Sequence, residues 1–146
     1  MKKLLFIALS LLLFSCNDHG AGKLRGFVEE GLQKDKGILK LSKYNEVKWD
    51  KVYVLGPYSS KKMLDKTLAK HYQDIMLAGI FNHDDICLVL LFNGDQLVSQ
   101  ATFDIIRTDL SATSVFTPND RYAPCPKDSA NYPYVKKNRT YILRRF

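Results

Sequence analysis

The stretch ICLVLLFNGDQLVSQATF, residues 86–103, constrains the fold more than any other part of the chain. Its first half is continuously apolar, as expected for a strand that is covered on both faces of a sheet. Asn93 and Gly94 follow, and this pair favours a two-residue hairpin turn because both residues tolerate a positive φ. Apolar and polar residues then alternate along the return strand. The stretch therefore predicts an antiparallel hairpin whose first strand is central in the sheet.

Two helices are predicted on the amino-terminal side of this hairpin, because apolar residues recur there at helical spacing. They are Leu24, Phe27, Val28 and Leu32 in the first helix, and Leu64, Leu68, Tyr72, Ile75 and Met76 in the second. Ser59 or Ser60 is the predicted N-cap of the second helix, and Gly79 is its predicted end. Between the helices, EVKWDKVYVL (46–55) predicts a strand, whereas residues 38–41 fit either a short helix or an irregular lead-in.

The rest of the chain is expected to be mostly strand. Residues 105–106 and 110–116 are apolar enough to extend the sheet, and residues 118–133 hold four of the five prolines, which predicts a loop. RTYILRRF (139–146) reads as a last strand at a sheet edge. This order predicts a two-layer α+β domain, with helices on one face of a mostly antiparallel sheet of four to five strands.

The amino terminus has the pattern of a secretion signal. Two lysines precede an apolar run, residues 4–14, that is too short for a membrane span of about 20 residues. Leu13, Phe14, Ser15 and Cys16 end this run and resemble the bacterial lipobox, although Phe14 is bulkier than the residue usually found at its place. The resemblance implies lipidation of Cys16 by palmitate-type acyl chains. The alternative is an ordinary signal peptide with an incidental cysteine.

The same resemblance implies a domain organisation and a location. Residues 1–15 would be the lipoprotein signal peptide, residues 16–22 a lipid-anchored tether, and residues 23–146 a single domain. The protein is then expected in the bacterial cell envelope, anchored by its lipid and facing the periplasm. Because Asp18 stands one place later than an inner-membrane retention signal requires, the outer membrane is favoured over the inner.

A second resemblance concerns the segment between Trp49 and Phe103. WDKVYVLGPYSS, then a helix, an apolar strand, Asn-Gly and a return strand, is similar to a group of small uncharacterised bacterial lipoproteins. Their shared pattern is a Trp-Asp strand that ends in a Gly-Pro-Tyr turn. The resemblance implies a compact envelope protein, and no particular activity.

Charge indicates what kind of partner to expect. The chain has 22 Lys and Arg against 15 Asp and Glu, and removal of the two lysines of the signal leaves 20 against 15. A secreted protein rarely meets nucleic acid, so the expected partners are the membrane, reached through the N-terminal lipid, and an envelope protein or an anionic envelope polymer. The alternative is that the basic residues serve solubility and protect an edge strand.

Two surfaces are candidate binding sites. The first is the basic, tyrosine-rich tail, because Tyr and Arg are enriched at binding hot spots; its members are Arg121, Tyr122, Tyr132, Tyr134, Lys136, Lys137 and Arg139. The second is a weak anion site at a predicted helix start, formed by Ser59, Ser60, Lys61 and Lys62. The alternatives are tyrosines that pack back onto the sheet and ordinary surface lysines.

Cys87 and Cys125 are the two cysteines that remain once Cys16 carries lipid. An even number of cysteines in an oxidising compartment predicts a disulfide between them. The competing interpretation is a buried free Cys87 and an unpaired Cys125.

No catalytic motif is present, and no cofactor or metal is expected. His71 borders a predicted apolar helix face, and His83 with its two following aspartates is better explained as a polar turn than as a metal site. Cys87 lies inside an apolar strand, where burial opposes thiolate formation. The expected function is therefore a partner-binding lipoprotein, such as an inhibitor, an immunity or exclusion factor, or an accessory subunit. The alternative is a small envelope hydrolase or transferase acting on cell-wall or lipid substrates.

Overall fold

The computed structural model describes residues 20–145 of the chain. The predicted signal peptide and the lipidation site Cys16 lie outside these residues. The described part contains three helices and eight strands. They are α1 (Ala21–Gly31), β1 (Lys36–Lys40), β2 (Lys51–Leu55), α2 (Lys66–Lys70), α3 (Tyr72–Leu77), β3 (Ile86–Asn93), β4 (Gln96–Asp104), β5 (Thr108–Asp109), β6 (Cys125–Pro126), β7 (Asn131–Lys137) and β8 (Thr140–Leu143).

The strands form two four-stranded sheets, with spatial orders β4-β3-β2-β6 and β1-β7-β8-β5. All pairings are antiparallel except that of β5 with β8, which is parallel. The α+β class predicted from the sequence is confirmed. The sequence led us to expect one sheet, whereas the later strands assemble into a second sheet of their own.

Two hydrophobic cores lie on opposite faces of the first sheet. The larger core joins one face to α1 and to the second sheet, and it contains Leu24, Val89 and Leu143. The smaller core joins the other face to α2 and α3, and it contains Leu68 and Leu90. Because successive residues of β3 face opposite sides, its residues from Cys87 to Phe92 are all apolar and buried, as predicted. The helices therefore lie on both faces of this sheet, and not on one face only.

The hairpin of β3 and β4 is confirmed, with its turn one residue later than expected. Asn93 pairs with Gln96, so Gly94 and Asp95 are the two turn residues. Gly94 has φ 59°, a conformation that glycine adopts without a steric penalty. A bulge between Leu91 and Phe92 shifts the register near this turn.

The second predicted helix begins later than expected and is divided. Ser60 precedes a single 3₁₀ turn, Lys61–Met63, and its side chain makes no capping hydrogen bond. Asp65 is the N-cap of α2, because its carboxylate accepts a hydrogen bond of 2.8 Å from the backbone N–H of Leu68. His71 then separates α2 from α3.

Three other segments differ from the sequence-based expectation. Residues 38–40 belong to β1, which pairs along its whole length with β7, and Leu41 begins a short 3₁₀ turn, Leu41–Lys43. The predicted loop of residues 118–133 contains β6 and the start of β7. β8 lies between β7 and β5 and is therefore not an edge strand.

At the amino-terminal end, α1 begins at Ala21. The last two residues of the predicted tether therefore belong to the helix, and the folded domain starts slightly earlier than predicted. Within residues 20–145, no helix combines the length and the apolar character needed to cross a membrane.

Candidate binding cleft

A cleft of about 590 Å³ lies where α1 approaches the turns at the ends of the second sheet. Its volume is in the range of ligand pockets in proteins, about 300–1,000 Å³. Seven residues line it, and they combine apolar, aromatic and charged side chains. They are Glu29, Leu32, Ile106, Arg107, Thr108, Arg139 and Tyr141.

Arg107 is presented by a tight turn between β4 and β5. The Asp104 carboxylate accepts a hydrogen bond of 2.8 Å from the N–H of Ile106, and the Asp104 carbonyl accepts one of 3.0 Å from the N–H of Arg107. β8 holds the same turn from its other side, because the Thr140 hydroxyl donates to the Ile106 carbonyl and the N–H of Tyr141 donates to the Arg107 carbonyl. The backbone at Arg107 is therefore fixed before any ligand binds.

Arg139 reaches the cleft from the hairpin that joins β7 to β8. Lys137 pairs with Thr140, so Asn138 and Arg139 form a two-residue turn. Asn138 has φ 56°, which asparagine tolerates better than most residues. The adjacent β8 residue Tyr141 supplies an aromatic wall, so the cation and the ring come from the same short segment.

The opposite wall is α1, which is fastened at two points. The Tyr134 hydroxyl donates a hydrogen bond of 3.2 Å to the Gly31 carbonyl at the carboxyl end of the helix. The Arg25 guanidinium donates to the carbonyl and the hydroxyl of Thr102, at 2.9 and 3.2 Å. Glu29 lies between these points and lines the cleft. The helix wall is therefore held against both sheets.

A smaller cavity of about 260 Å³ continues the cleft along β4. It shares Glu29, Arg107 and Thr108 with the larger cavity, and it adds Arg25 and Asp104. Together the two cavities form a groove in which the charges of three arginines exceed those of two carboxylates.

The guanidinium groups of Arg107 and Arg139 are available to a ligand. Within residues 20–145 neither forms an ion pair or a hydrogen bond, and both side chains are exposed. Arg25, by contrast, is engaged with Thr102. Guanidinium is a planar donor that matches a carboxylate or a phosphate in two-point contacts. Ile106, which is 66% exposed at the mouth, and buried Leu32 add apolar surface next to these cations.

The structure separates the tyrosines of the predicted binding surface from its cations. Tyr122, Tyr132 and Tyr134 are buried in the core, so these three side chains are not on a partner surface. Tyr122 illustrates the reason, because its hydroxyl lies 2.6 Å from the Ser59 hydroxyl and accepts a hydrogen bond of 3.1 Å from the N–H of Gly56. The alternation of β7 likewise turns Tyr132 and Tyr134 inwards.

The cations of that predicted surface are exposed but do not form one patch. Arg121 closes a turn, because its carbonyl accepts a hydrogen bond from the N–H of Thr117. The next residue, Tyr122, packs in the smaller core. Lys136 and Lys137 lie near the β7–β8 turn, where the Lys136 ammonium is 5.1 Å from the centre of the Tyr141 ring. Arg139 is the one member of the predicted set that lines the cleft.

The predicted anion site at residues 59–62 is not formed. Ser59 is buried, and its hydroxyl donates to the Gly56 carbonyl at 2.5 Å. No α-helix starts at Ser60, so the segment does not present the free N–H groups of a helix terminus. The Lys61 ammonium lies over the Tyr72 ring, 4.5 Å from its centre, and Lys62 is exposed.

The predicted disulfide is not formed either, and the strand register explains why. Cys87 and Cys125 are both free and buried. Cys125 pairs with Val52, whereas Cys87 lies one residue before Leu88, which pairs with Leu55 at the other end of β2. This separation corresponds to about 13 Å along the strands and about 10 Å across them. A disulfide requires the two Cα atoms to lie within about 7 Å.

The histidines that the structure describes have structural contacts. His71 Nε2 is 2.8 Å from the Asp95 carbonyl, and its ring packs edge-on against Phe92. His83 Nδ1 lies 3.5 Å from the Asp85 carboxylate on the surface. Residues 20–145 contain no cluster of three or more side chains suited to hold a metal ion.

Most of the cleft was not identified from the sequence. Glu29 and Leu32 were assigned to a helix, and Ile106 was expected to extend the sheet. Arg107 gave no signal because it is a single cation in a short polar segment. One available clue was the position of Ile106 and Arg107 directly after the alternating return strand, where a turn is expected.

The comparisons with known proteins identify no relative. No family model matches the chain, and neither a curated protein nor a solved structure matches it.

Proposed function

We propose that this protein is a lipid-anchored binding protein of the bacterial envelope, which holds an anionic group of its partner in the cleft between α1 and the β7–β8 hairpin. The partner is an envelope protein or an anionic envelope polymer, and the protein acts by contact and not by turnover. An inhibitor, an immunity or exclusion factor, and an accessory subunit all work in this way. The anchor is the lipidated Cys16.

The observation that carries the proposal is the pair of guanidinium groups in one cavity. Arg107 and Arg139 lie 32 positions apart in the sequence, yet both line the same cleft and neither has a partner within residues 20–145. Two neighbouring cations repel one another unless an anion lies between them. Strand pairing and tight turns fix the backbones of both residues. Ligand binding would therefore cost little backbone conformational entropy.

The binding step is tested by affinity recovery from detergent-solubilised envelopes. The double variant Arg107→Ser/Arg139→Ser should lose a stoichiometric partner that the wild-type protein recovers, because both charges of the cleft are removed. The matched control is Lys62→Ser/Lys66→Ser, which also removes two exposed cations. These residues lie at and just before the start of α2 and do not line the cleft. Equal recovery by the cleft variant and the wild-type protein would contradict the proposal.

The anchor is tested separately with the full chain in a bacterial host. Cys16→Ser should abolish incorporation of a radioactive fatty acid and release the protein from the membrane fraction, because several acyl chains anchor far more firmly than none. The wild-type protein should be labelled. An unlabelled wild-type protein would rule out the anchor but would leave the cleft experiment valid.

A further inference from the structure

Beside its two arginines, the larger cavity is lined by one carboxylate, Glu29, and by the apolar or aromatic side chains Leu32, Ile106 and Tyr141. We propose that the cleft binds the carboxyl-terminal end of a peptide chain, with the terminal carboxylate between Arg107 and Arg139 and an apolar last side chain against Leu32, Ile106 and Tyr141. This inference rests on the proposed function. It adds the chemical class of the group that is bound.

The balance of charge favours a carboxylate over a phosphate. Arg107 and Arg139 line the larger cavity together with Glu29, whose carboxylate also has no ion pair or hydrogen bond within residues 20–145. These three side chains give the larger cavity a net charge of +1, which the single negative charge of a terminal carboxylate neutralises. A phosphate group carries nearly two charges at neutral pH, so it would leave an excess of negative charge next to the Glu29 carboxylate.

Glu29 also has a use in peptide binding. A peptide end offers backbone N–H groups next to its carboxylate, and these are donors that an unpaired carboxylate accepts. The groove continues past Glu29 into the smaller cavity along β4. This cavity gives room for the residues that precede the last one in the peptide. A peptide end therefore supplies donors that Glu29 can accept as well as a carboxylate for the arginines.

The apolar wall accounts for the side chain of the last residue. Leu32 is buried, Tyr141 is half-buried, and Ile106 is 66% exposed at the mouth. When a ligand covers an exposed apolar side chain such as Ile106, the free energy of the complex falls by roughly 25 cal/mol for each Å² of apolar surface removed from water. An inorganic anion would leave this surface uncovered.

The test is isothermal titration of the full-length protein, purified in detergent, with acetylated tripeptides ending in leucine, phenylalanine or alanine. Each peptide is used as the free acid and as the carboxyl-terminal amide, and inorganic phosphate is titrated alongside. At least one free acid should bind, and amidation should weaken it about tenfold or more, because the charge that the arginines bind is lost. Equal binding of acid and amide would overturn the inference.

Variants separate this inference from the proposed function. Arg107→Ser/Arg139→Ser should abolish binding of the free acid, whereas Lys62→Ser/Lys66→Ser should retain it. Glu29→Gln should strengthen phosphate binding several-fold relative to peptide binding, because the lost charge repels the more highly charged phosphate more strongly and is also an acceptor for the peptide N–H groups. If phosphate binds through the two arginines and no peptide acid binds, the peptide inference fails and the anion-binding cleft stands. If neither ligand binds, the peptide inference fails, and the proposed function fails with it if the cleft variant and the wild-type protein recover the same envelope partner equally.

Discussion

Single residues of the interior explain why a tyrosine-rich tail is not a tyrosine-rich surface. Tyr122 is the clearest case, because it packs in the smaller core and its hydroxyl also satisfies two polar groups that are buried with it. The N–H of Gly56 donates to this hydroxyl at 3.1 Å, and the Ser59 hydroxyl lies 2.6 Å from it. A buried donor without a partner costs about 1–3 kcal/mol.

We therefore expect Tyr122→Phe to lower the free energy of unfolding by about 1–3 kcal/mol, since the ring remains and the N–H of Gly56 loses its acceptor. Urea denaturation measures this change. Tyr58→Phe is the matched control, because Tyr58 is 81% exposed and its hydroxyl forms no hydrogen bond within the described residues; a change within about 0.5 kcal/mol is expected there. Equal stabilities of Tyr122→Phe and the wild-type protein would show that the hydrogen bonds contribute nothing.

The buried Cys87 thiol should make the free energy of unfolding depend on pH in the alkaline range. Burial raises the pKa of the Cys87 thiol to about 12, whereas an exposed thiol in the unfolded chain has a pKa of about 8.5. Between these values the unfolded state releases a proton that the native state retains. The free energy of unfolding should therefore fall as pH rises through this range, by about 1.4 kcal/mol per pH unit from this group.

The comparison that isolates this contribution is Cys87→Ala against the wild-type protein between pH 8 and pH 10. The variant should be less stable at pH 8 because it leaves a cavity, but its stability should fall less steeply, so the difference from the wild-type protein should shrink towards pH 10. Burial also raises the pKa of Tyr122 and of Tyr132, but these two tyrosines are present in both proteins and affect both slopes equally. Parallel slopes for the two proteins would be the contradicting result.

At the scale of elements, the start of α2 shows how one carboxylate organises a segment. Asp65 accepts a hydrogen bond of 2.8 Å from the N–H of Leu68 and another of 2.7 Å from the Tyr53 hydroxyl. It therefore caps the helix and ties it to strand β2. Ser60, the N-cap expected from the sequence, has no such bond.

Asp65→Ala should lower the free energy of unfolding by about 1–2 kcal/mol, the usual cost of losing an N-cap, with a further loss from the Tyr53 contact. Ser60→Ala should leave the unfolding free energy nearly unchanged. Thermal and urea denaturation of the two variants measure both effects. If Ser60→Ala were the more damaging change, the helix would begin where the sequence suggested and not where the structure places it.

Local signals predicted the elements whose determinants lie close together in the chain. The hairpin of β3 and β4 follows from its own apolar pattern and turn residues, and α1 follows from helical spacing. β1 was missed because its identity depends on β7, with Lys36 pairing with Val135 nearly one hundred residues later. The cleft also depends on residues that are distant in the sequence. Arg107 and Arg139 line one cavity only because β5 pairs with β8.

At the scale of the whole molecule, one sheet carries both hydrophobic cores. β2 and β3 place alternate side chains in each, so Val52 and Val54 face the larger core while Tyr53 and Leu55 face the smaller one. Unfolding of β2 and β3 therefore disrupts both cores at once. The described domain is therefore expected to unfold as one cooperative unit.

Trp49 allows a direct test, because it is the single tryptophan and belongs to the larger core. Leu68→Ala removes a fully buried side chain of α2 in the smaller core, at an expected cost of about 2–5 kcal/mol. Although Leu68 is in the other core, the variant should shift the urea midpoint of Trp49 fluorescence and that of far-UV circular dichroism by the same amount. The matched control is Leu77→Ala on α3, where the side chain is 81% exposed and little change is expected. A shift confined to circular dichroism would mean that α2 and α3 separate from the sheet before it unfolds, and that the two cores are independent.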